Sequence, residues 1–224
     1  MIQTKEEDMK RIENEFYDQG YEVIAGIDEA GCGPLAGPVV ACVVILPRDY
    51  FNPLIYDSKM LHPSTRKKIF QEILNNAIEI GVGICSNEEI DKLNIRNATR
   101  KAMERALEDI EIQPDVVLID GNVFDTNYNM LNSNGKRVIF KNIIKGDRRS
   151  ITIASASIVA KVLRDEIMSE YEKLYPNFKF SKHKGYPTKE HIQELRKFGP
   201  TEIHRKTFKQ VKQLRIDELF LKLF

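Results

Sequence analysis

The sequence predicts an α/β fold: a mixed five-stranded sheet flanked by helices, followed by a C-terminal helical region. Three observations lead there. Five short apolar runs, most of them rich in β-branched residues, are spread over residues 21–144, the length and composition of buried strands. Segments of helical periodicity lie between and after them. The order is three strands with short intervening elements, then helix, strand, strand and helix, which implies a sheet of mixed direction with helices on its faces.

Taken in order, residues 5–18 carry Met9, Ile12 and Phe16 three to four apart among charges, an amphipathic helix. YEVIAGI (21–27) reads as a buried strand and VVACVVIL (39–46) as a second. Between them AGCGPLAGP holds three glycines and two prolines, which exclude regular structure and permit close backbone approach to a ligand. Ser64 opens an amphipathic helix, TRKKIFQEILNNA, with Pro63 just upstream. Ile78–Ser86 makes the third strand, and NEEIDKLNIRNATRKAMERALEDI reads as a short helix and then a longer one, broken at Gln113-Pro114. DVVLID (115–120) is an apolar strand ending in a carboxylate, and RVIFKNII (137–144) is the fifth. The helix from about Thr152 to Leu174 begins with the small-residue run ASAS, which lets a helix lie close on a sheet. After Pro176 come short basic helices and loops. This divides the chain into an N-terminal helix (1–20), a sheet domain (21–175) and a helical region (176–224), with no internal repeat.

A chain of 224 residues can bury a sizeable core, and 42% hydrophobic with 30% charged residues is ordinary for a soluble globular protein. No apolar run approaches the roughly 20 residues of a membrane-spanning helix, so no membrane partner is expected. The start, MIQTKEEDMKRIENEF, is charged and does not look like a secretory signal. Three cysteines, Cys32, Cys42 and Cys85, lack CxxC spacing, which argues against a disulfide framework or structural zinc and suits a reducing cytoplasm. The net charge of +1 conceals an asymmetry: residues 136–215 hold 20 Lys and Arg against 8 Asp and Glu, while the rest holds 14 against 25. The basic part suits a polyanionic partner, or simply solvated helix faces.

Asp28 and Glu29 close the first strand, Asp120 ends the fourth, and Asp147 follows the fifth in IIKGDRRS. In open α/β sheets the crevice beyond strand ends is the usual ligand site. Carboxylates gathered there repel one another unless cations lie between them. Mg²⁺ suits such a set, because it takes carboxylate and water oxygens and is held by few protein ligands plus substrate phosphates. Adjacent strand residues point to opposite faces, so a shared site requires pairing to end at Asp28 and the longer Glu29 to curl back. Taken singly, each acid reads equally as a solvated strand end or a helix cap.

GIDEAGCGPLAGPVV, DSK (57–59), LNIRNATRKAM (93–103), LIDGN (118–122), KGDRRSITIASASIVAKVLRD (145–165) and HKGYPTKEH (183–191) together resemble bacterial ribonuclease HII, in that family's order and over nearly the whole chain. The resemblance implies a ribonuclease H-like fold whose C-terminal helical region binds substrate. It implies cleavage of the RNA strand of RNA–DNA hybrids, and of DNA containing ribonucleotides on the 5′ side of the ribonucleotide, leaving 3′-hydroxyl and 5′-phosphate ends. A two-metal mechanism with Mg²⁺ or Mn²⁺ follows, with Asp28, Glu29, Asp120 and Asp147 matching the metal-binding carboxylates. Tyr186 matches the tyrosine that stacks on the sugar beyond the junction, and Lys59 in DSK, with Lys182 and Lys184 near the tyrosine motif, suit phosphate contacts. A cytoplasmic monomer is expected. RNA differs from DNA by a 2′-hydroxyl that donates and accepts hydrogen bonds, and the backbone of Gly31 and Gly33 could probe it.

The family's usual Arg or Lys between these glycines is Cys32 here. Two outcomes stay open: weaker binding or poorer junction selectivity through loss of a phosphate-binding cation, or compensation by nearby basic residues. Cys32 has no partners spaced for zinc or nucleophilic chemistry. Asp165 fits an ion pair with Lys161 or Arg164 better than metal binding. His183, His191 and His204 suit phosphate contacts or a proton relay, and equally surface or capping roles. The stripe Leu214, Ile216, Leu219, Phe220 and Phe224 fits helix packing better than a sliding-clamp-binding peptide. A related HIII-type enzyme would carry an extra N-terminal domain, and a catalytically silent hybrid-binding protein of the same fold is the remaining alternative.

Overall fold

The computed structural model describes residues 2–56, 58 and 61–214. Lys59 and the apolar stripe from Ile216 to Phe224, with the clamp-binding alternative, lie outside these residues. The elements are α1 (Ile2–Tyr17), β1 (Ile24–Ala30), β2 (Val39–Ile45), α2 (Pro63–Asn76), β3 (Glu79–Cys85), α3 (Asn87–Leu93), α4 (Ile95–Glu108), β4 (Val116–Asp120), β5 (Ile139–Ile143), α5 (Ile151–Leu174), α6 (Phe180–His183) and α7 (Lys189–Phe198). Residues 209–214 are also helical. Among the described residues no helix is long and apolar enough to cross a membrane.

The five strands form one sheet in the order β3-β2-β1-β4-β5. β1, β2 and β3 pair antiparallel, whereas β1, β4 and β5 run parallel, so the sheet is mixed as the sequence implies. β1 runs Ile24–Ala30 rather than over residues 21–27. The cause lies in its neighbours: the backbone N–H groups of Glu22 and Val23 donate to the side chain of Asp115 instead of to a strand, and β2 holds the other end as far as Ala30 opposite Val40. Pairing with β2 therefore does not end at Asp28, as expected, but continues through it. Pairing with β4 does stop at Ile27 opposite Ile119, so Asp28 is the first residue of β1 past the parallel ladder. α2 likewise starts earlier than Ser64: Pro63 sits in its first turn, where a missing N–H costs nothing, and His62 is the cap.

Side chains alternate across the sheet and each face has its helix. One face packs Ala25, Ile27, Ala41 and Val43 against Ala98, Ala102 and Ala106 of α4. The other packs Val40, Cys42 and Val44 against Ala154, Ala156 and Ile158 of α5 and Ile69 and Ile73 of α2. The small-residue start of α5 brings it onto β1 so closely that a Cβ at Gly26 would lie 2.2 Å from the carbonyl carbon of Thr152. α1 covers the end of this layer, with Ile12 and Phe16 against Ile24 and Leu118. A fourth cluster joins Phe178, Phe180, Leu195, Ile203 and Val211 of the C-terminal region to Leu35 and Ala36 of the glycine-rich loop and Met168 of α5. The loop after β1 is thus packed from behind by the C-terminal region, each of the larger apolar side chains contributing about 1.5–3 kcal/mol.

Candidate active site

Asp28 lies on the α5 face of β1 and is buried. One of its oxygens accepts the backbone N–H of Glu29 (2.7 Å), and its carboxylate also hydrogen-bonds Ser157 of α5. Burial, then the charges of Glu29 and Asp120, push its carboxyl well above the usual carboxylate range. Asp120, at the end of β4, accepts the N–H of Gly146 at 2.6 Å. That glycine starts the 3-10 turn Gly146–Arg148, which carries the buried Asp147. The turn has no room for a larger residue, since a Cβ on Gly146 would lie 2.5 Å from Ile153 and 3.3 Å from the Asp120 carboxylate.

Glu29 keeps to the opposite face. Its Oε1 accepts from the Cys32 thiol (3.3 Å), whose sulfur is also 3.3 Å from the hydroxyl of Thr99 on α4. The expected alternation thus persists: Glu29 faces the α4 side of the sheet and Asp28 the α5 side. Among the described residues no three His, Cys, Asp or Glu side chains are already gathered as a metal cage. The donors nonetheless fit hard divalent cations: they are all oxygen, and Asp28 is disfavoured as an anion beside Glu29 and Asp120 until positive charge is supplied.

A cavity of about 390 Å³ takes Glu29 into its wall, whereas Asp28, Asp120 and Asp147 are not among its lining residues. Glu29, Gly31, Cys32 and Gly33 line it together with Ser157 and Lys161 of α5, and Tyr186, Ser58 and Arg66 complete the wall. Gly31 has φ +108°, and a Cβ there would lie 2.3 Å from Arg164 Nε, so only glycine fits. Two fully buried arginines hold the loop. Arg205 donates to the carbonyls of Gly31 (2.6 Å), Cys32 (3.2 Å), Gly37 (3.0 Å) and Pro38 (3.2 Å). Arg164 donates to Pro38 (3.0 Å), Ala36 (3.1 Å) and Lys184 (3.0 Å). Burial, reinforced by the charge of Arg164, lowers Arg205 to about 9. The carbonyls of Gly31 and Cys32 therefore already have donors.

The tyrosine motif is fastened to the same loop. Lys184 and Gly185 both have positive φ, and Gly185 packs so near Ala36 that a Cβ would lie 2.7 Å from its carbonyl oxygen. The N–H of Leu35 donates to the Gly185 carbonyl at 2.7 Å. This brings the Tyr186 ring, 40% exposed, within 3.6 Å of where a Gly33 Cβ would be. Of the lysines near it, Lys182 is exposed and paired with Glu190 at 2.8 Å. Lys184 points its ammonium inward, donating to the Asp165 carbonyl and Ser169 hydroxyl. Asp165 pairs with Lys161 (2.6 Å) and Arg66 (3.6 Å), not with Arg164.

The three histidines are buried, which removes the surface reading. Arg164, Arg205 and Ser157 carry more of the site than their sequence context suggests. Arg205 is one of several basic residues in a basic stretch, next to Lys206, with no signal that it is buried. Ser157 belongs to the ASAS run, which also reads as helix-packing surface.

The layered sheet and the pocket at the end of its parallel strands define a ribonuclease H-like protein. A solved ribonuclease H2 from Pyrococcus horikoshii OT3 superposes with a TM-score of 0.72 at 25% identity, covering 89% of this chain and 99% of that one. The family model for ribonuclease HII matches residues 25–211. A ribonuclease HII of Syntrophus aciditrophicus is 47% identical over 201 residues, 90% of this chain and 91% of its own. That of Caldanaerobacter subterraneus subsp. tengcongensis is 48% identical over 203 residues, 90% of this chain and 80% of its own. The chain belongs to the ribonuclease HII family and is a ribonuclease H enzyme.

Proposed function

We propose that this enzyme hydrolyses the RNA strand of RNA–DNA hybrids and cuts DNA on the 5′ side of embedded ribonucleotides, leaving 3′-hydroxyl and 5′-phosphate ends. The observation that carries the reading is the pocket in which Glu29, the glycine loop and Tyr186 meet, with Glu29 and Asp120 near enough to Asp28 to oppose its charge. Asp28, Glu29, Asp120 and Asp147 would hold Mg²⁺ or Mn²⁺. Two such ions, when bound, activate a water and stabilise the leaving oxygen of a phosphodiester. Gly146 fixes one oxygen of Asp120 and leaves the other for a ligand. Ser157 and the Glu29 N–H hold the Asp28 carboxylate in place.

The backbone of Gly31 and Gly33 meets the 2′-hydroxyl, held rigid by Arg164 and Arg205 from behind. Because the carbonyls at 31 and 32 already have donors, the N–H groups are what the loop chiefly offers. Tyr186 packs on the next sugar, where an added hydroxyl fits poorly. Lys182 and Lys59 serve phosphates, whereas Lys184 serves the fold of the tyrosine turn. All these groups lie on one chain, so a monomer suffices.

The test is cleavage of a duplex containing one ribonucleotide, with Mg²⁺, with Mn²⁺ and with EDTA. Cutting in a divalent ion and none in EDTA is expected. Asp120→Asn should lower the rate by at least roughly a hundredfold while binding persists, by analogy with loss of one preorganised electrostatic group. Substantial residual cutting would remove Asp120 from its role, and binding without cutting in either metal would make the chain a silent hybrid-binding protein.

A further inference from the structure

We infer that His191 and His204 form a directed chain of neutral imidazoles that positions Tyr186, and thereby the sugar-discriminating end of the pocket. This rests on the role given to Tyr186 above. The direction is fixed from one end. The backbone N–H of Thr201 donates to His204 Nδ1 at 2.9 Å, so that nitrogen carries no proton and the ring's proton sits on Nε2. His204 Nε2 lies 3.0 Å from His191 Nε2, which must accept. The proton of His191 is then on Nδ1, and it donates to the Tyr186 carbonyl at 2.9 Å. Each tautomer dictates the next, and the chain ends on the tyrosine's own backbone.

A third imidazole fixes the preceding residue. His183 Nδ1 accepts the Gly185 N–H at 3.1 Å, and its Nε2 faces Glu194 at 2.9 Å. Its ring stacks on His191 with centroids 4.2 Å apart. His191 and His204 are fully buried, with Phe178 and Phe180 around them. Two Nε2 atoms 3.0 Å apart hold one proton between them, and burial keeps both rings neutral. Packing alone would be satisfied by apolar rings. An apolar ring would leave the Tyr186 carbonyl with only the Thr188 N–H, at 2.8 Å. Lys161 and Arg164 face the Tyr186 ring at 5.8 and 6.0 Å from its centroid, while the polar chain fixes the backbone that carries the ring over Gly33.

The test compares rates on a DNA duplex with one ribonucleotide and on a continuous RNA–DNA hybrid. In His204→Leu and His191→Phe the single-ribonucleotide rate should fall roughly 10- to 100-fold relative to the hybrid rate, the scale of an ångström-level misplacement, as it should in Tyr186→Ala. His204→Gln, which can still donate to His191, should restore most of the ratio. If the folded His204→Leu protein keeps the ratio that Tyr186→Ala loses, positioning is overturned. If Tyr186→Ala keeps it too, the tyrosine's role falls and the inference with it. Imidazole ¹⁵N shifts of the unmodified protein decide the chain independently of activity, even should the proposed nuclease activity be absent. His191 protonated at Nδ1 and His204 at Nε2 support it; the opposite tautomers, or a charged ring at neutral pH, overturn it.

Discussion

Cys32 stands where the resemblance implies a cation, and its surroundings say what a thiol there does. Its thiol is pinned between Glu29 and Thr99. Burial, with the neighbouring Glu29 charge, pushes it up to about 12, so it stays a thiol and offers no thiolate for catalysis or metal binding. The nearest cations in the pocket, Lys161 and Arg66, are both engaged with Asp165, which limits their freedom to replace the missing charge. Cys32→Arg should therefore tighten binding of an RNA–DNA hybrid at low salt. It should also steepen the dependence of log Kd on log salt by roughly 0.7–0.9 if one phosphate contact is added. Equal affinities and equal slopes across a salt titration would show that the substitution is already compensated.

At the scale of elements, the contact between α5 and β1 connects most of the site. α5 supplies Ser157 to Asp28, Lys161 to the pocket and Arg164 to the loop, and it does so because Gly26 lets it touch the sheet. Gly26→Ala forces backbone apart and should cost upwards of about 3 kcal/mol, at or beyond the upper end for overpacking, with activity lost in proportion. Gly121→Ala, where an added Cβ meets nothing within 4 Å although φ is +73°, should cost only about 1–2 kcal/mol. Urea midpoints rank the two, and equal losses would refute close packing at Gly26. The small run ASAS made this helix-on-sheet contact legible from sequence, as the β-branched runs did for β2 and the apolar run for β4. The start of β1 was not legible, because Asp115, some 90 residues away, takes the N–H groups of Glu22 and Val23. Nor were the arginines: Arg205 finds the Gly31 carbonyl across 174 residues of sequence, and nothing local marks a guanidinium that will be buried. The four carboxylates stood out as strand-end acids, yet the opposite approach of Asp28 and Glu29 depends on pairing that only the sheet decides.

For the whole molecule, buried titratable groups near both ends should give it a bounded pH range. The basic excess over residues 136–215 includes Arg164 and Arg205, which are fully buried, so the charge presented to a polyanion is smaller than the sequence suggests. On the acid side, burial lowers His191 to about 4 and His204 to about 3 from an ordinary 6.5. The unfolded chain then takes up protons that the folded one refuses, so stability is full above 6.5 and falls below it, by as much as about 2 kcal/mol per imidazole at pH 5. On the other side stands Glu13 of α1, buried against the start of α5. Its Oε1 accepts from Ser150 (2.6 Å) and from the Thr152 hydroxyl (2.9 Å), while Oε2 is buried without a hydrogen-bond partner. Burial raises its carboxyl above the ordinary 4.5. The folded chain keeps a proton that the unfolded chain releases, so this contribution is full below 4.5 and is lost as pH rises through the raised value. Glutamine mimics the protonated form. Glu13→Gln should therefore match the parent near pH 4.5 and exceed it increasingly as the pH rises to 8, read from urea midpoints across that range. A parent and variant that stay parallel from pH 4.5 to pH 8 would show that Glu13 is charged in the folded protein.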